Sequence, residues 1–327
     1  MQGFVRTAGV QVRIECALPW TWQLLEECCG DTLQRDGDDA ATELTVRIED
    51  ERDAFPTSYM SLLSRSCWTD GASVVVRDVC TSGFDMRLSV VAGQAIARYR
   101  WRPPHTTRAA AILLRARFRL LVRAALLQYP AMWWASTRGC VPLHAPVCSV
   151  DGTVMLLAGP AGVGKTTLLM RELRGGAMAT SDNLCVTDGR GCWGVLEPVR
   201  VEGVQGKRST HGRRETSLPN RVESLTPDLV LVLRRGNAST VGNNRCSAED
   251  ALRTLVGGTY MAGELRRYWG FAATLSTGTG CGPVHPPITD VAERLTRRLP
   301  CVEVAMPSSR TFSLHDVLGD KELLTCA

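Results

Sequence analysis

The sequence predicts an α/β fold, with a small β-rich domain at the N-terminus and a larger domain of strands and helices behind it. Most of residues 1–104 has the alternating or β-branched pattern of strands. Residues 153–174 instead follow the order strand, glycine-rich loop and helix. The chain has 327 residues, enough for two domains of roughly 150 residues each. With 44% hydrophobic and 22% charged residues, its composition is that of a folded globular protein.

The N-terminal domain is predicted to span residues 1–104. Pro103 and Pro104 mark its end, because proline cannot donate to a strand ladder and restricts the residue before it. Its main strands are predicted at residues 10–14, 43–48, 73–77 and 86–91.

A helix is predicted to connect the two domains within residues 105–139. Its apolar spacing runs from about residue 107 to residue 128, and Pro130 is expected to stop it. This stretch is the best candidate for a membrane span, but it carries Arg115, Arg117, Arg119 and Arg123. Four arginines would be costly in lipid, so the pattern favours a packed amphipathic helix.

The larger domain, residues 140–327, is predicted to open with a β-hairpin. Its strands lie at residues 147–150 and 153–157, and Asp151 and Gly152 between them suit a two-residue turn in which both positions have positive φ. Further elements are predicted in order as a helix at 166–174, strands at 177–180 and 229–233, a helix at 247–256, a surface loop at 276–287 and a helix at 288–297.

The residues after the hairpin match the phosphate-loop pattern Gly-x-x-x-x-Gly-Lys-Thr, with a strand before it and a helix after it. Glycines let such a loop turn its amides inward, where they and the helix N-terminus bind a polyphosphate. Lys165 is predicted to reach the β- and γ-phosphates, and the Thr166 hydroxyl to ligate Mg²⁺. We therefore expect ATP and Mg²⁺ to bind at Gly159, Pro160, Ala161, Gly162, Val163, Gly164, Lys165, Thr166 and Thr167.

Asp182 follows the predicted strand after this helix. An acid in that place can bind Mg²⁺, directly or through water, or accept the proton of an attacking hydroxyl. The alternative is a turn or helix cap, since Ser181-Asp182-Asn183 favours both.

Residues 207–215 form a basic segment that contains His211 and Arg213. Arginines bind phosphates and carboxylates through two parallel hydrogen bonds, so Arg213 is a candidate for clamping phosphate or an acidic substrate. The alternative is a solvated basic loop.

The run of Leu143-His144-Ala145, hairpin, phosphate loop, helix, Gly175-Gly176, strand and Ser181-Asp182-Asn183-Leu184 resembles the catalytic domain of HPr kinase/phosphorylase. More distant kin of that family are kinases of modified-peptide gene clusters and phosphoenolpyruvate carboxykinases. The resemblance covers about residues 142–186 and implies a P-loop, HPr-kinase-like fold for residues 140–327.

The resemblance also implies roles for individual residues. Asp182 takes the place of the acid that accepts the substrate proton, while Asn183 stands where the family has a second acid. His144 corresponds to a histidine near the phosphates, and Glu197 to an acid that helps to hold the metal.

The implied activity is an ATP- and Mg²⁺-dependent transfer of the γ-phosphoryl group to a serine or threonine hydroxyl. The acceptor is expected to be a peptide, a protein or an amino-acid-like metabolite. Assembly of the protein into a homo-oligomer is a further expectation from the resemblance. Two alternatives stay open: an NTP-hydrolysing regulatory switch, and a nucleotide-binding scaffold without catalysis.

Charge and cysteine content limit the classes of partner and the cellular compartment that can be expected. The net charge of +5 is mild and spread along the chain, so no nucleic-acid partner is expected. Residues 1–6 lack the start of a signal peptide and the thirteen cysteines are scattered, so a cytoplasmic protein with reduced thiols and no membrane partner is expected.

Overall fold

The computed structural model describes residues 1–37, 41–201, 207–208, 213–236, 242–306 and 313–315 and shows a mixed α/β protein with several sheets. Its residues group into two compact units. The first contains residues 1–139, 196–216 and 267–285, and the second contains residues 140–195, 217–266 and 286–327. This grouping does not test the predicted domain bounds 1–104, 105–139 and 140–327, which stay predictions.

The strands in chain order are β1 (Gln2–Thr7), β2 (Val10–Cys16), β3 (Leu44–Glu49), β4 (Ser61–Ser64), β5 (Cys67–Thr69), β6 (Ser73–Val76), β7 (Phe84–Val91), β8 (Gln94–Trp101), β9 (Val141–Leu143), β10 (Val147–Val150), β11 (Thr153–Ala158), β12 (Met178–Ala179), β13 (Cys185–Thr187), β14 (Cys192–Gly194), β15 (Val199–Val201), β16 (Lys207–Arg208), β17 (Arg214–Thr216), β18 (Ser224–Leu225), β19 (Leu229–Arg235), β20 (Gly242–Arg245) and β21 (Cys301–Met306). The α-helices are α1 (Pro19–Cys29), α2 (His105–Leu113), α3 (Arg115–Arg123), α4 (Tyr129–Ser136), α5 (Lys165–Arg174), α6 (Ala248–Tyr260), α7 (Tyr268–Thr279) and α8 (Ile288–Arg298). Short 3₁₀ turns lie at Gly30–Thr32, Val79–Thr81 and Gly263–Leu265.

The first unit is built on an eight-stranded sheet in the order β1-β2-β3-β8-β7-β6-β5-β4. Strand β3 runs parallel to both of its neighbours, whereas the other pairs are antiparallel. Alternate residues of β3, Leu44, Val46 and Ile48, are buried, as expected for a strand with one face on a core. The strands predicted in residues 10–91 are confirmed.

The connecting helix differs from its prediction. It bends at Leu114, widens into a π-helical turn at Ala124–Gln128 and continues as α4 to Ser136, so the expected stop at Pro130 is wrong. Pro130 lies in the first turn of α4, where a missing N–H is tolerated, and the π turn before it removes the usual clash with the preceding carbonyl.

Helix α7 packs against β5, β6 and β7 and corrects a second prediction. Residues 276–279, expected in a surface loop, form its last turn, and Gly280 in the left-handed conformation ends it. Ser276 is buried and accepts a hydrogen bond from the indole N–H of Trp133 at 3.1 Å. A local sequence pattern rich in Gly and Thr cannot predict this tertiary contact.

A buried arginine joins three parts of the first unit. The guanidinium of Arg123 on α3 donates to Glu215 on β17 at 2.8 Å, to Glu27 on α1 at 3.1 Å and to the Leu24 carbonyl at 3.3 Å. Its side chain is 2% exposed and that of Glu215 is 4% exposed. These charges are therefore stabilised by one another rather than by water.

We expect Arg123→Ala to lower the free energy of unfolding by about 3–5 kcal/mol, because it removes the guanidinium that neutralises the buried Glu215 carboxylate. Urea denaturation followed by circular dichroism measures this loss. The control is Arg123→Met combined with Glu215→Leu, which removes both charges and should cost clearly less. A double variant no more stable than the single one would contradict the explanation.

The carboxylate of Glu49 at the end of β3 receives hydrogen bonds from Arg98 and Arg100, the latter at 2.7 Å. Burial raises the pKa of Glu49, but the hydrogen bonds and charges of these two arginines outweigh it and hold the pKa below its ordinary value of 4.5. A carboxyl with a lowered pKa adds stability above its unfolded-state pKa and loses it as the pH falls through the folded-state pKa.

We therefore expect Glu49→Gln to destabilise the protein by about 2 kcal/mol at pH 7. The difference from the wild type should shrink as the pH falls below 4.5, and denaturation curves across that range measure it. Glu249→Gln on α6 is a matched control, since its ion pair with Arg253 is exposed and contributes little. A constant difference at every pH would exclude Glu49 as the titrating group.

The second unit contains a six-stranded sheet in the order β12-β10-β11-β19-β21-β20. Its central strands β11, β19 and β21 are parallel, and residues 229–233 of β19 are buried, as predicted from their apolar run. The predicted hairpin is confirmed, because Asp151 and Gly152 have φ of 49° and 81° and Val150 pairs with Thr153. A smaller antiparallel sheet has the order β18-β14-β13-β9.

Helices α5, α6 and α8 confirm the predicted helical segments of this unit. Helix α6 begins after Ser247, whose hydroxyl accepts a hydrogen bond from the amide of Asp250 at 3.0 Å. It packs against β9, β11, β19 and α8. Among the described residues, no helix is long and apolar enough to cross a membrane.

Candidate functional site

The glycine loop, residues 159–164, lies between β11 and α5 in the second unit. Gly159 is required by space, since an added Cβ would lie 3.0 Å from the Leu233 carbonyl oxygen of the neighbouring strand. Gly164 is required by conformation, since it caps the N-terminus of α5 with φ of 114°. The loop therefore turns directly into the helix, with Pro160, Ala161 and Gly162 exposed.

Lys165, the first residue of α5, is 6% exposed. Its ammonium group donates hydrogen bonds to the carbonyl oxygens of Gly159 at 2.6 Å and Pro160 at 3.3 Å. Burial lowers the pKa of Lys165 to about 8, and the nearby carboxylates of Glu264 and Asp182 counteract part of that shift. A buried cation whose hydrogen bonds go to carbonyls of the glycine loop is well placed to exchange them for bonds to an anion.

Thr166 and Asp182 lie side by side at the start of α5. The Thr166 hydroxyl is 3.4 Å from Oδ2 of Asp182, which is 7% exposed. Two oxygens that bind one Mg²⁺ at about 2.1 Å in octahedral geometry stand roughly 3 Å apart when adjacent. The pair consists of hard oxygen donors at a suitable separation, so these residues fit Mg²⁺, with the remaining positions left to phosphate oxygens and water.

Asp182 and Asn183 lie in the segment that leads from β12 in the larger sheet to β13 in the smaller sheet. The segment is held by Ser181, whose hydroxyl donates to the Leu184 carbonyl at 2.6 Å. Oδ1 of Asn183 accepts a hydrogen bond from Nε2 of His144, 2.6 Å away. Asp182 and Asn183 therefore face different partners, Thr166 and His144.

His144 lies between β9 and β10 and is 7% exposed. Burial lowers its pKa and the charge of Lys165 lowers it further, while the charge of Glu264 and hydrogen bonds with Asn183 and the Gly258 backbone oppose the shift. The net lowering keeps the imidazole neutral near pH 7. The backbone N–H of His144 donates to the Thr259 hydroxyl at 3.1 Å.

Three residues at this site were not predicted from the sequence. Glu264 follows α6 and acts electrostatically on both Lys165 and His144. Thr259 of α6 contacts His144, and Arg235 at the end of β19 donates to the Gly162 carbonyl at 2.7 Å. No spacing rule links these three residues to the glycine loop. The only local sequence feature that could have pointed to one of them is the pair of arginines at the end of the apolar strand β19.

The remaining predicted residues belong to the first unit. Glu197 precedes β15 and forms an ion pair with Arg200 at 3.8 Å. Arg213 precedes β17 and is exposed, whereas His211 lies outside the described residues. Glu197 as a metal ligand and Arg213 as a substrate or phosphate clamp stay predictions. The structure groups Lys165, Thr166, Asp182 and His144 in one unit, without these two.

Within the described ranges, no group of three or more His, Cys, Asp or Glu side chains is arranged to hold a metal ion. The Thr166 and Asp182 pair suits an ion that is also bound by a polyphosphate.

No protein-family model matches the chain, and no curated protein matches it. Among solved structures, part of the chain is similar to "Structure of the Hpr(Ser) kinase/phosphatase from Coxiella burnetii", with 15% sequence identity and a TM-score of 0.23. The match covers 29% of this chain and 65% of that chain. A likeness of this size does not establish a common fold or family.

Proposed function

We propose that the chain is an ATP- and Mg²⁺-dependent phosphotransferase whose second unit is a P-loop, HPr-kinase-like domain. The observation that carries the proposal is the convergence of Lys165, Thr166 and Asp182 at the N-terminus of α5. A cation, a hydroxyl and a carboxylate in this order around a glycine loop are the groups that phosphoryl transfer requires. The same set serves poorly as a structural core, because it buries charge beside an exposed loop.

The loop amides and the N-terminus of α5 would bind the phosphates, where the helix dipole favours negative charge. Lys165 would exchange its bonds to the Gly159 and Pro160 carbonyls for bonds to the β- and γ-phosphates. This exchange replaces neutral acceptors by anionic phosphate oxygens, so the pKa of Lys165 should rise when the nucleotide binds. Arg235 lies at the loop and supplies a second cation at its rim.

Thr166 and Asp182 would hold Mg²⁺ together with phosphate oxygens. When bound, this ion neutralises the charge that develops on the transferred group. Asp182 would also orient the acceptor hydroxyl and take its proton, so that one carboxylate serves positioning and deprotonation. Asn183 cannot take a proton and instead holds the neutral His144 through its side-chain oxygen.

The acceptor would carry a hydroxyl, as in a serine or threonine of a peptide, a protein or an amino-acid-like metabolite. The test incubates the purified full chain with Mg²⁺ and γ-labelled ATP, with and without a panel of serine- and threonine-containing peptides and free amino acids. Label on a hydroxyl acceptor would support the kinase. Release of labelled phosphate without any acceptor would favour a regulatory NTPase, and binding without turnover would mean a scaffold.

A further inference from the structure

A cavity of about 290 Å³ opens in the first unit between α2, α3 and the turn Val79–Thr81. Its apolar lining residues are Ala110, Leu114, Phe118 and Leu121, and the rest of the lining is polar. The volume is at the lower end of small-molecule sites and suits one or two large side chains better than a nucleotide. The polar lining residues are Thr81, Thr106, Thr107 and Arg117.

One lining residue of the cavity, Phe118, belongs to an aromatic cluster. The ring of Phe118 lies 5.6 Å from that of Trp101 and 6.4 Å from that of Trp20, both measured between centroids. Trp20 also packs on Trp101 at 5.1 Å and is 36% exposed.

The helices beside the cavity expose a continuous apolar segment. Ile112, Leu113 and Leu114 are 75%, 80% and 53% exposed. Single exposed apolar residues are ordinary, but here three follow one another, and the third, Leu114, also lines the cavity. An exposed apolar patch of this kind often marks an interaction site.

The same surface carries exposed positive charge. Residues 86–150 contain no aspartate or glutamate. Arginines of this segment that lie elsewhere pair with distant acids, as Arg102 does with Asp85 and Arg138 with Glu43. Arg108, Arg115 and Arg117 are exposed, and no ion pair joins them to an acid within the described ranges.

We propose that the face formed by α2, α3 and this cavity binds an acidic segment of a polypeptide partner. A large apolar side chain of the partner would enter the cavity, and neighbouring carboxylates would pair with Arg108, Arg115 and Arg117. An anionic lipid surface would satisfy the arginines and the exposed leucines, but a planar surface would leave the recess unfilled. Binding at this face would stand whether or not the site at Lys165 transfers phosphate.

The test measures fluorescence anisotropy of short labelled peptides that combine glutamates with phenylalanine or leucine, added to the full chain. We expect saturable binding that weakens as salt is added, because the contacts are between exposed charges. Peptides with lysine in place of glutamate, or alanine in place of the apolar residues, should bind at least about tenfold more weakly.

Two variants address the charge and the cavity separately. Arg115→Glu with Arg117→Glu reverses charge at the rim, and Ala110→Trp fills the recess while leaving the charge unchanged. Each should weaken the acidic peptide by about tenfold or more, whereas Arg297→Glu on α8, which is exposed at 74%, should not. Unchanged circular dichroism and thermal midpoints show that each variant is folded.

Three results would overturn the proposal. The first is that none of the acidic peptides binds, or that both variants bind them as the wild type does. The second is that vesicles containing phosphatidylserine capture the wild type and lose it on charge reversal, while peptides do not bind. The third is self-association in analytical ultracentrifugation that the Ala110→Trp variant abolishes, which would make a second copy the occupant.

Discussion

Replacing Lys165 by alanine is expected to reduce phosphoryl transfer by roughly 10³-fold, because the developing charge on the transferred phosphate loses its buried cation. Lys165 is 6% exposed and its ammonium group is held at the glycine loop, so water would supply only part of the lost stabilisation. Single-turnover assays with γ-labelled ATP separate this loss from weaker nucleotide binding. Titration of a fluorescent ATP analogue measures the binding separately.

Arg174→Ala is the matched control for this change. It removes one positive charge from the opposite end of the same helix, where the side chain is exposed. A loss of helix stability of about 0.3–1 kcal/mol is expected there, with the transfer rate unchanged. Equal activity of Lys165→Ala and the wild type would show that the glycine loop takes no part in the proposed reaction.

The second large effect is expected for Asp182→Asn, which keeps the shape of the side chain but removes its charge and its ability to take a proton. We expect transfer to fall by roughly 10²–10⁴-fold, because Asn183 offers no second carboxylate in the adjacent position. Rates measured over a range of Mg²⁺ concentrations divide the two roles of Asp182. A higher Mg²⁺ requirement indicates a lost ligand, and a lower maximal rate at saturating Mg²⁺ indicates a lost base.

Asp188→Asn provides the corresponding control. Asp188 accepts hydrogen bonds from the amides of Arg190 and Gly191 in the turn between β13 and β14, and an asparagine oxygen can accept the same bonds. Its transfer rate should equal that of the wild type. If Asp188→Asn and Asp182→Asn were equally active, Asp182 would be a structural turn residue, as its sequence context also allows.

Local features of this protein were predictable because their causes lie within a few residues of one another. The turn at Asp151 and Gly152 needs two positions with positive φ, and both residues tolerate that conformation. The apolar run of β19 needs burial on both faces and receives it at the centre of a sheet. The contact of Thr166 with Asp182 is also short in sequence, since one helix and one strand separate them.

The helix through Pro130 was mispredicted because a proline was considered without its surroundings. The π turn at Ala124–Gln128 changes the hydrogen-bond partner of each N–H by one residue, and α4 then packs against β2 and β3. Burial of the whole of α4, including Trp133, offsets the cost of the irregular turn. Propensity alone therefore indicated a helix end that packing overrides.

The sequence by itself determined the glycine loop with its strand and helix, because short-range spacing specifies them, and it predicted candidate roles for Lys165, Thr166 and Asp182. Only the tertiary structure decided that His144 bonds to Asn183 and that Glu264 lies close enough to offset part of the lowering of the pKa of Lys165 by burial. Those groups lie on separate elements, and their approach depends on sheet order and on the packing of α6. Hydrogen bonds and charges act through space, so residues about a hundred positions apart can share one site although no pattern in the sequence predicts it.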